Sequence, residues 1–185
     1  MAAIDEPVDP DAGAGPEPDP ESPDSGAESP AAAARRAYAT AIRMLGTRDH
    51  STFELTRKLT DRDFDHAIIQ RTLVELVDAR YVDDRRYACT YVEQRIARGY
   101  GPRAIESKLR ERGIDGPDRR NAFEQAAPDW CELAEEAVMR KFRADQILDR
   151  EAKAKARLAR FLQGRGFSAG DSIRAIERAR RAVEG

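Results

Sequence analysis

Apolar residues recur along this chain at three- and four-residue spacings, the period of amphipathic helices, and no run shows the alternation of a half-buried strand. Tyr38, Ile42 and Leu45 mark a first helix that opens at Ala31 and ends at Gly46. Ser51 and Glu54 stand as a capping box, which starts a second helix burying Leu55 and Leu59. Asp65 caps a third, with Ile69, Leu73, Leu76 and Val77 on one face. Asp83 and Asp84 in YVDDRRYA supply the negative charge that a helix N-terminus favours, ahead of a stripe of Ala88, Val92 and Ile96 flanked by Tyr87 and Tyr91. Gly99 closes that helix, Gly101-Pro102 opens the next, Ile105 and Leu109 share its face, and Gly113 stops it. A further helix spans 117–127. The remaining pattern predicts a helix from Trp130 with Leu133, Ala137, Val138 and Phe142, then helices over 151–163 and 169–183.

The helices form a repeat. Counted from Leu55, Ile105 and Leu158, the fourth position on is Leu59, Leu109 and Leu162, and the ninth is Phe64, Ile114 and Phe167. The eighteenth is Leu73, Phe123 and Ile176, and the twenty-first is Leu76, Ala126 and Ala179. All are apolar in a chain that is 41% apolar, so one helical unit is present three times. The expected fold is all-α: three tandem three-helix repeats, 31–80, 81–128 and 129–185, forming an elongated curved array behind a disordered acidic, proline-rich tail at 1–30. A long concave side suits an extended partner better than a small molecule.

Charge sharpens the picture. The net charge of −2 hides a split: residues 1–34 carry nine acids and no base, leaving 32 bases against 25 acids in the remainder. A basic body suits a polyanion or an acidic protein surface. Arg95, Arg98, Arg103, Lys108, Arg110 and Arg112 cluster in the middle unit, and Lys153, Lys155, Arg157 and Arg160 in the last; these are the candidate partner- and phosphate-binding residues. Arg62, Arg112 and Arg165 recur at the seventh position of the repeat, at the end of each second helix. There they can compensate the helix dipole or line one side of the array.

No catalytic, cofactor-binding or metal-binding residues are expected. His50 and His66 read as surface residues, and with Cys89 and Cys131 far off they lack zinc-ligand spacing. The cysteines read as small core residues of a reducing compartment. Gly99, Gly101 and Gly113 lack the lysine and serine of a phosphate loop. With no apolar span and no signal-like N-terminus, the expectation is a cytoplasmic, non-membrane, monomeric protein.

Four stretches carry a resemblance to a known family: HSTFELTRKL from His50, YVDDRRYA from Tyr81, RGYGPRAIESKLRERGI from Arg98, and KARLARFLQGRGFS ending at Ser168. In this order the body of the chain, about 31–183, resembles the RecX family of bacterial regulators of the recombinase RecA. The resemblance implies a non-enzymatic protein of three three-helix units that binds RecA filaments, with DNA contacts of low sequence specificity. It implies inhibition of recombinase, ATPase and co-protease activity, and so modulation of recombination, DNA repair and the SOS response. The acidic tail falls outside it. The residues alone also allow a DNA-binding helical module that needs no recombinase.

Overall fold

A computed structural model describes residues 28–185, and the tail expected to be disordered lies almost wholly outside them. Ten helices and no strand occur among the described residues. The first unit holds α1 (Pro30–Leu45), α2 (Thr52–Thr60) and α3 (His66–Asp78). The second holds α4 (Asp84–Ala97), α5 (Pro102–Glu111) and α6 (Gly116–Ala126). The third holds α7 (Trp130–Lys141), a short α8 (Ala144–Leu148), α9 (Ala152–Gly164) and α10 (Ala169–Glu184). Each unit has its own small apolar core, around Leu55, Leu59 and Leu76, around Ile105, Leu109 and Ile114, and around Leu158, Leu162 and Phe167. Trp130 packs against both the second and third cores.

Of the fifteen repeat positions, thirteen are buried, and Phe123 and Ala126 are half-buried. The frame has a specific physical origin. After α2, α5 and α9 the N–H of Phe64, Ile114 and Phe167 donates to the C=O of Leu59, Leu109 and Leu162, at 3.3, 3.1 and 3.1 Å. The N–H of Asp63, Gly113 and Gly166 donates to the C=O of Thr60, Arg110 and Gln163. Asp63, Gly113 and Gly166 all have positive φ, at 60°, 72° and 91°. These are Schellman ends, whose accompanying apolar contact joins the fourth and ninth positions of the repeat.

Several expectations need correction. Val77 is 44% exposed, because α3 buries Ile69, Thr72, Leu73 and Leu76 instead. On α1 the buried stripe is Ala33, Ala37 and Ala41, whose small side chains let α1 and α3 approach, while Tyr38, Ile42 and Leu45 flank it half-buried. His50 is buried at 5% exposure, not on the surface, while His66 is exposed. Helix α8 was not expected, since five residues are too few to show a period. It is held by buried Ile147 and by Arg180, which donates to the C=O of Ile147 at 2.8 Å and of Asp149 at 2.7 Å. The two cysteines are free and half-buried.

All extensive helix pairing lies within units. The units are joined instead by the ends of their second helices, twice in the same way. Ser51, the N-cap of α2, donates through Oγ to the C=O of Arg112 at the end of α5, at 2.6 Å. Gly101, the N-cap of α5, donates its N–H to the C=O of Arg165 at the end of α9, at 2.8 Å. Ser51 and Gly101 both stand four residues before the first repeat position. Gly113 lies against Phe53 and Gly166 against Ala104, each so closely that a Cβ would overlap its neighbour. After α2 the matching residue is Asp63, which is exposed among the described residues. In the third unit α9 starts three residues earlier in the frame, so its N-terminus does not repeat the Ser51 and Gly101 geometry. Among the described residues the junction is made twice.

Candidate functional site

The junction between the first two units is a buried polar network. The capping box of α2 is complete: Ser51 Oγ accepts from the Glu54 N–H at 3.1 Å, and Glu54 accepts from the Ser51 N–H at 3.3 Å. Arg48 then reaches both Glu54 carboxylate oxygens, at 3.2 and 3.0 Å. From the second unit, Tyr87 donates its hydroxyl to Glu54 at 3.2 Å and accepts from Arg112 Nε at 2.9 Å. Arg112 Nε itself lies 3.9 Å from Glu54. On the other flank of the box, Asp84 takes both the N–H and the hydroxyl of Thr52, at 2.9 and 2.5 Å.

These contacts set the electrostatics. Burial pushes the Glu54 carboxyl up, but the bonds from Arg48 and the Ser51 backbone and the charges of Arg48 and Arg112 outweigh it and hold it at about 2. Burial lifts the Tyr87 phenol to about 12, against the opposing pull of Arg112. Burial and the neighbouring Arg48 charge push His50 down, so it is neutral at pH 7. The network is therefore one carboxylate shared by two guanidiniums and a phenol, permanently charged at neutral pH.

From Arg112 a ladder of guanidiniums and rings crosses into the third unit. Arg112 lies over the Tyr91 ring at 4.7 Å and Arg95 over the same ring at 4.8 Å. Arg95 also lies over Tyr100 at 5.5 Å, and Arg165 lies over Tyr100 and Phe161 at 5.5 and 4.9 Å. Phe161 meets Phe142 edge-on at 5.2 Å, with Arg157 over Phe142 at 5.5 Å. Each guanidinium over a ring face adds about 0.5–1 kcal/mol, more where water is excluded. Arg165 also donates to the C=O of Arg98 and of Gly99, at 2.8 and 3.1 Å, which satisfies the end of α4. The ladder ties the second unit to the third, as the Glu54 network ties it to the first.

Beside it opens a cleft of about 320 Å³ to which Arg48, Arg95, Arg98 and Arg112 all contribute, with Tyr87 and Tyr91. Among the described residues the side chains of Arg95 and Arg98 have no hydrogen-bonding partner. Four guanidiniums line it against the carboxylate of Asp49, with buried Glu54 behind, and this excess of positive charge attracts anions: phosphate, or the carboxylates of a protein surface.

The structure thus brings Arg95, Arg98 and Arg112 of the sequence-derived set together. Lys108 lies in an adjoining depression with Arg95 and Tyr100, its Nζ 2.7 Å from Glu111. Arg110 pairs with Glu106 at 2.6 Å on the exposed face of α5. Arg103 is exposed, and its backbone N–H bonds to Gly166 at 3.1 Å. Lys153, Lys155, Arg157 and Arg160 are exposed on α9 as a separate group. Sequence reasoning passed over Arg48, Tyr91, Tyr100 and the stacking role of Arg165. Tyr87, Tyr91 and Arg95 at four-residue steps were a signal for one face, but their partners come from other units. Of the recurring arginines, Arg112 and Arg165 tie units together, whereas Arg62 only caps its own helix at the C=O of Lys58. No group of three or more His, Cys, Asp or Glu side chains among the described residues is placed to hold a metal ion. No described helix is long and apolar enough to cross a membrane.

Known proteins match over most of the chain. The family models for the first, second and third three-helix domains of RecX match residues 37–76, 83–122 and 128–176. The regulatory protein RecX of Vibrio vulnificus is 36% identical over 129 residues, covering 70% of this chain and 83% of that protein. That of Yersinia enterocolitica is 34% identical over 148 residues, covering 69% and 87%. A crystal structure of RecX from Lactobacillus salivarius superposes with a TM-score of 0.68 at 21% identity, over 80% of this chain and 97% of that one. Another crystal structure of regulatory protein RecX gives 0.67 at 24%, over 83% and 73%.

Proposed function

The chain belongs to the RecX family of regulatory proteins, and from that premise we propose that it binds assembled RecA filaments and inhibits their recombinase, ATPase and co-protease activities. Recombination, DNA repair and the SOS response are then the processes it modulates. The observation that carries this reading is a pair of ties between units: the Glu54–Tyr87–Arg112 network joins the first unit to the second, and the arginine–ring ladder joins the second to the third. A line of units can touch successive subunits of a filament, and modest contacts add through effective concentration. The arginine cleft supplies attraction to acidic protein surface or to DNA phosphate. Nothing in this reading needs a nucleophile or a catalytic base.

The bases whose side chains have no hydrogen-bonding partner among the described residues, Arg98 above all, also favour a second reading, a helical module that binds DNA without a recombinase. Co-sedimentation with RecA filaments, with and without DNA and over a salt series, separates the two. Filament binding that persists at salt where binding to bare DNA has vanished supports the first reading, since phosphate contacts alone weaken steeply with salt. A protein that neither sediments with RecA nor slows its ATP hydrolysis on single-stranded DNA overturns it.

A further inference from the structure

The arginine cleft is not the only concave surface at the first junction. A groove runs between α2 and α3 and on to the start of α4, as two adjoining hollows of about 520 and 540 Å³ that share Thr52, Val77 and Asp78. Neither hollow shares a lining residue with the arginine cleft. Its first half is apolar. Phe53, Val74 and Val77 are 48%, 60% and 44% exposed, half of the large exposed apolar side chains of the described residues, and they meet around this one hollow. Single exposed apolar residues are ordinary, but a contiguous set beside a groove marks an interaction surface.

The second half is acidic. Asp78, Asp83, Asp84 and Asp118 line it, against Arg80 and Arg85. Asp84 is engaged by Thr52, and Arg85 is turned to Asn121 at 2.7 Å. Asp118 is pushed up by burial and by Asp115, Asp84 and Asp83, which outweigh the relief from Arg85. The carboxylates therefore crowd one another without matching countercharge. The groove floor is also stiff: Phe53 is wedged against Gly113, and Thr52 is clamped by Asp84.

We propose that this groove docks an amphipathic helix of a partner protein, with apolar side chains on Phe53, Val74 and Val77 and flanking lysines or arginines at Asp78, Asp83 and Asp118. Charge complementarity identifies the occupant. Val74 and Val77 on α3 and Phe53 and Thr56 on α2 face each other across the hollow, so its walls are two helix faces between which the apolar face of a third helix can lie. Residues 1–34 of this chain are not the occupant, since they hold nine acids and no base and would meet like charge. The two faces of the junction then select opposite chemistry: anions at Arg95 and Arg98, cationic helices at Asp78 and Asp118. A ligand in the groove would touch both units.

The test uses the full chain and two synthetic amphipathic 16-residue helices with the same leucine face, one flanked by lysine and arginine and one by glutamate. Backbone amide NMR shifts report where each lands, and fluorescence anisotropy reports affinity. The basic helix should shift Phe53, Val74, Val77, Asp78 and Asp118 and bind at least tenfold tighter than the acidic one. The double variant Val74→Ser, Val77→Ser changes only exposed side chains and should weaken it at least tenfold, with circular dichroism unchanged. Asp78→Asn with Asp118→Asn should weaken it and flatten its salt dependence. Shifts elsewhere, equal binding of the two helices, or affinity unchanged in either double variant overturn the proposal. So does sedimentation showing that the apolar set is already covered by a second copy of this chain. No RecA enters the experiment, so its outcome is independent of the function proposed above.

Discussion

Ser51 Oγ donates to the carbonyl of Arg112 at 2.6 Å across 61 positions of sequence, and the Gly101 N–H donates to the carbonyl of Arg165 at 2.8 Å in the same place of the next junction. The start of one second helix thus closes on the Schellman end of the following one. At the second junction backbone must approach backbone for this, which is why glycine stands at 101 and 166, while at the first a Cβ on Gly113 would overlap the Phe53 side chain. A Cβ on Gly101 would lie 2.5 Å from the backbone of Gly166 and Phe167, and one on Gly166 would lie 2.4 Å from the backbone of Ala104. Gly101→Ala and Gly166→Ala should each cost about 1–3 kcal/mol, more at 166, where φ is positive. Gly164→Ala, with nothing within 4 Å, should be neutral or gain up to about 1 kcal/mol. Thermal melts of the three variants check this, and equal losses would refute the close approach.

The recurring arginines should be unequal. Arg112→Ala leaves Tyr87 without its donor and Glu54 with one fewer cation, and should destabilise by about 2–3 kcal/mol. Arg62→Ala removes only an exposed bond to its own helix and should cost less than about 0.5 kcal/mol. Urea denaturation of both variants distinguishes a repeated structural cap from a junction tie.

Acidification should loosen the first junction in two stages. The Glu54 carboxyl lies at about 2 when folded, below the ordinary 4.5, so its contribution is whole above that ordinary value and is lost as pH falls toward 2. At this burial it is on the order of 2–3 kcal/mol. His50 is held neutral, below its ordinary 6.5, so its contribution is whole above that value and begins to fall as pH drops below it. Stability measured between pH 7 and 3 should therefore decline throughout. Glu54→Gln should be less stable at pH 7 but flatter below pH 5, and His50→Gln flatter between pH 7 and 5. A wild-type slope retained in both variants would remove these groups as its source.

Reversing Arg98, Arg103 and Arg110 to Glu should leave helicity unchanged, since all three are exposed and none lies on the Ile105–Leu109 face. Inhibition of RecA ATP hydrolysis should weaken by at least about 2 kcal/mol in apparent affinity, or about thirtyfold. Equal inhibition by the triple variant moves the binding surface to Lys153, Lys155, Arg157 and Arg160.

Much of the architecture was legible in the residues. Helix identity follows from apolar spacing, caps such as Ser51 and Asp65, and stops such as Gly113, all of which act within a few residues of themselves. The repeat was legible because a Schellman end demands an apolar pair five residues apart and, at a junction, a glycine between them. The basic character of Arg95, Arg98 and Arg112 was likewise written in their clustering.

What tertiary structure decided is which neighbour each residue meets. His50 looked like a turn residue, yet it is buried, with its Nδ1 3.7 Å from the Glu54 carboxylate. Val77 kept the helical spacing of its neighbours, yet the groove beside α2 leaves it in water. Arg112 and Arg62 occupy one place in the repeat, and nothing local separates them. Arg112 meets Tyr87 and Glu54 across the junction, whereas among the described residues Arg62 bonds only the C=O of Lys58 in its own helix, so the same guanidinium is a tie in one and a surface cap in the other. The sequence by itself determined the helices, their ends and their threefold recurrence, because those are short-range effects of spacing, φ and capping. The arginine–ring ladder and the acidic groove needed the fold, because each is assembled from side chains of different units that only the packing of one helix end on another brings together.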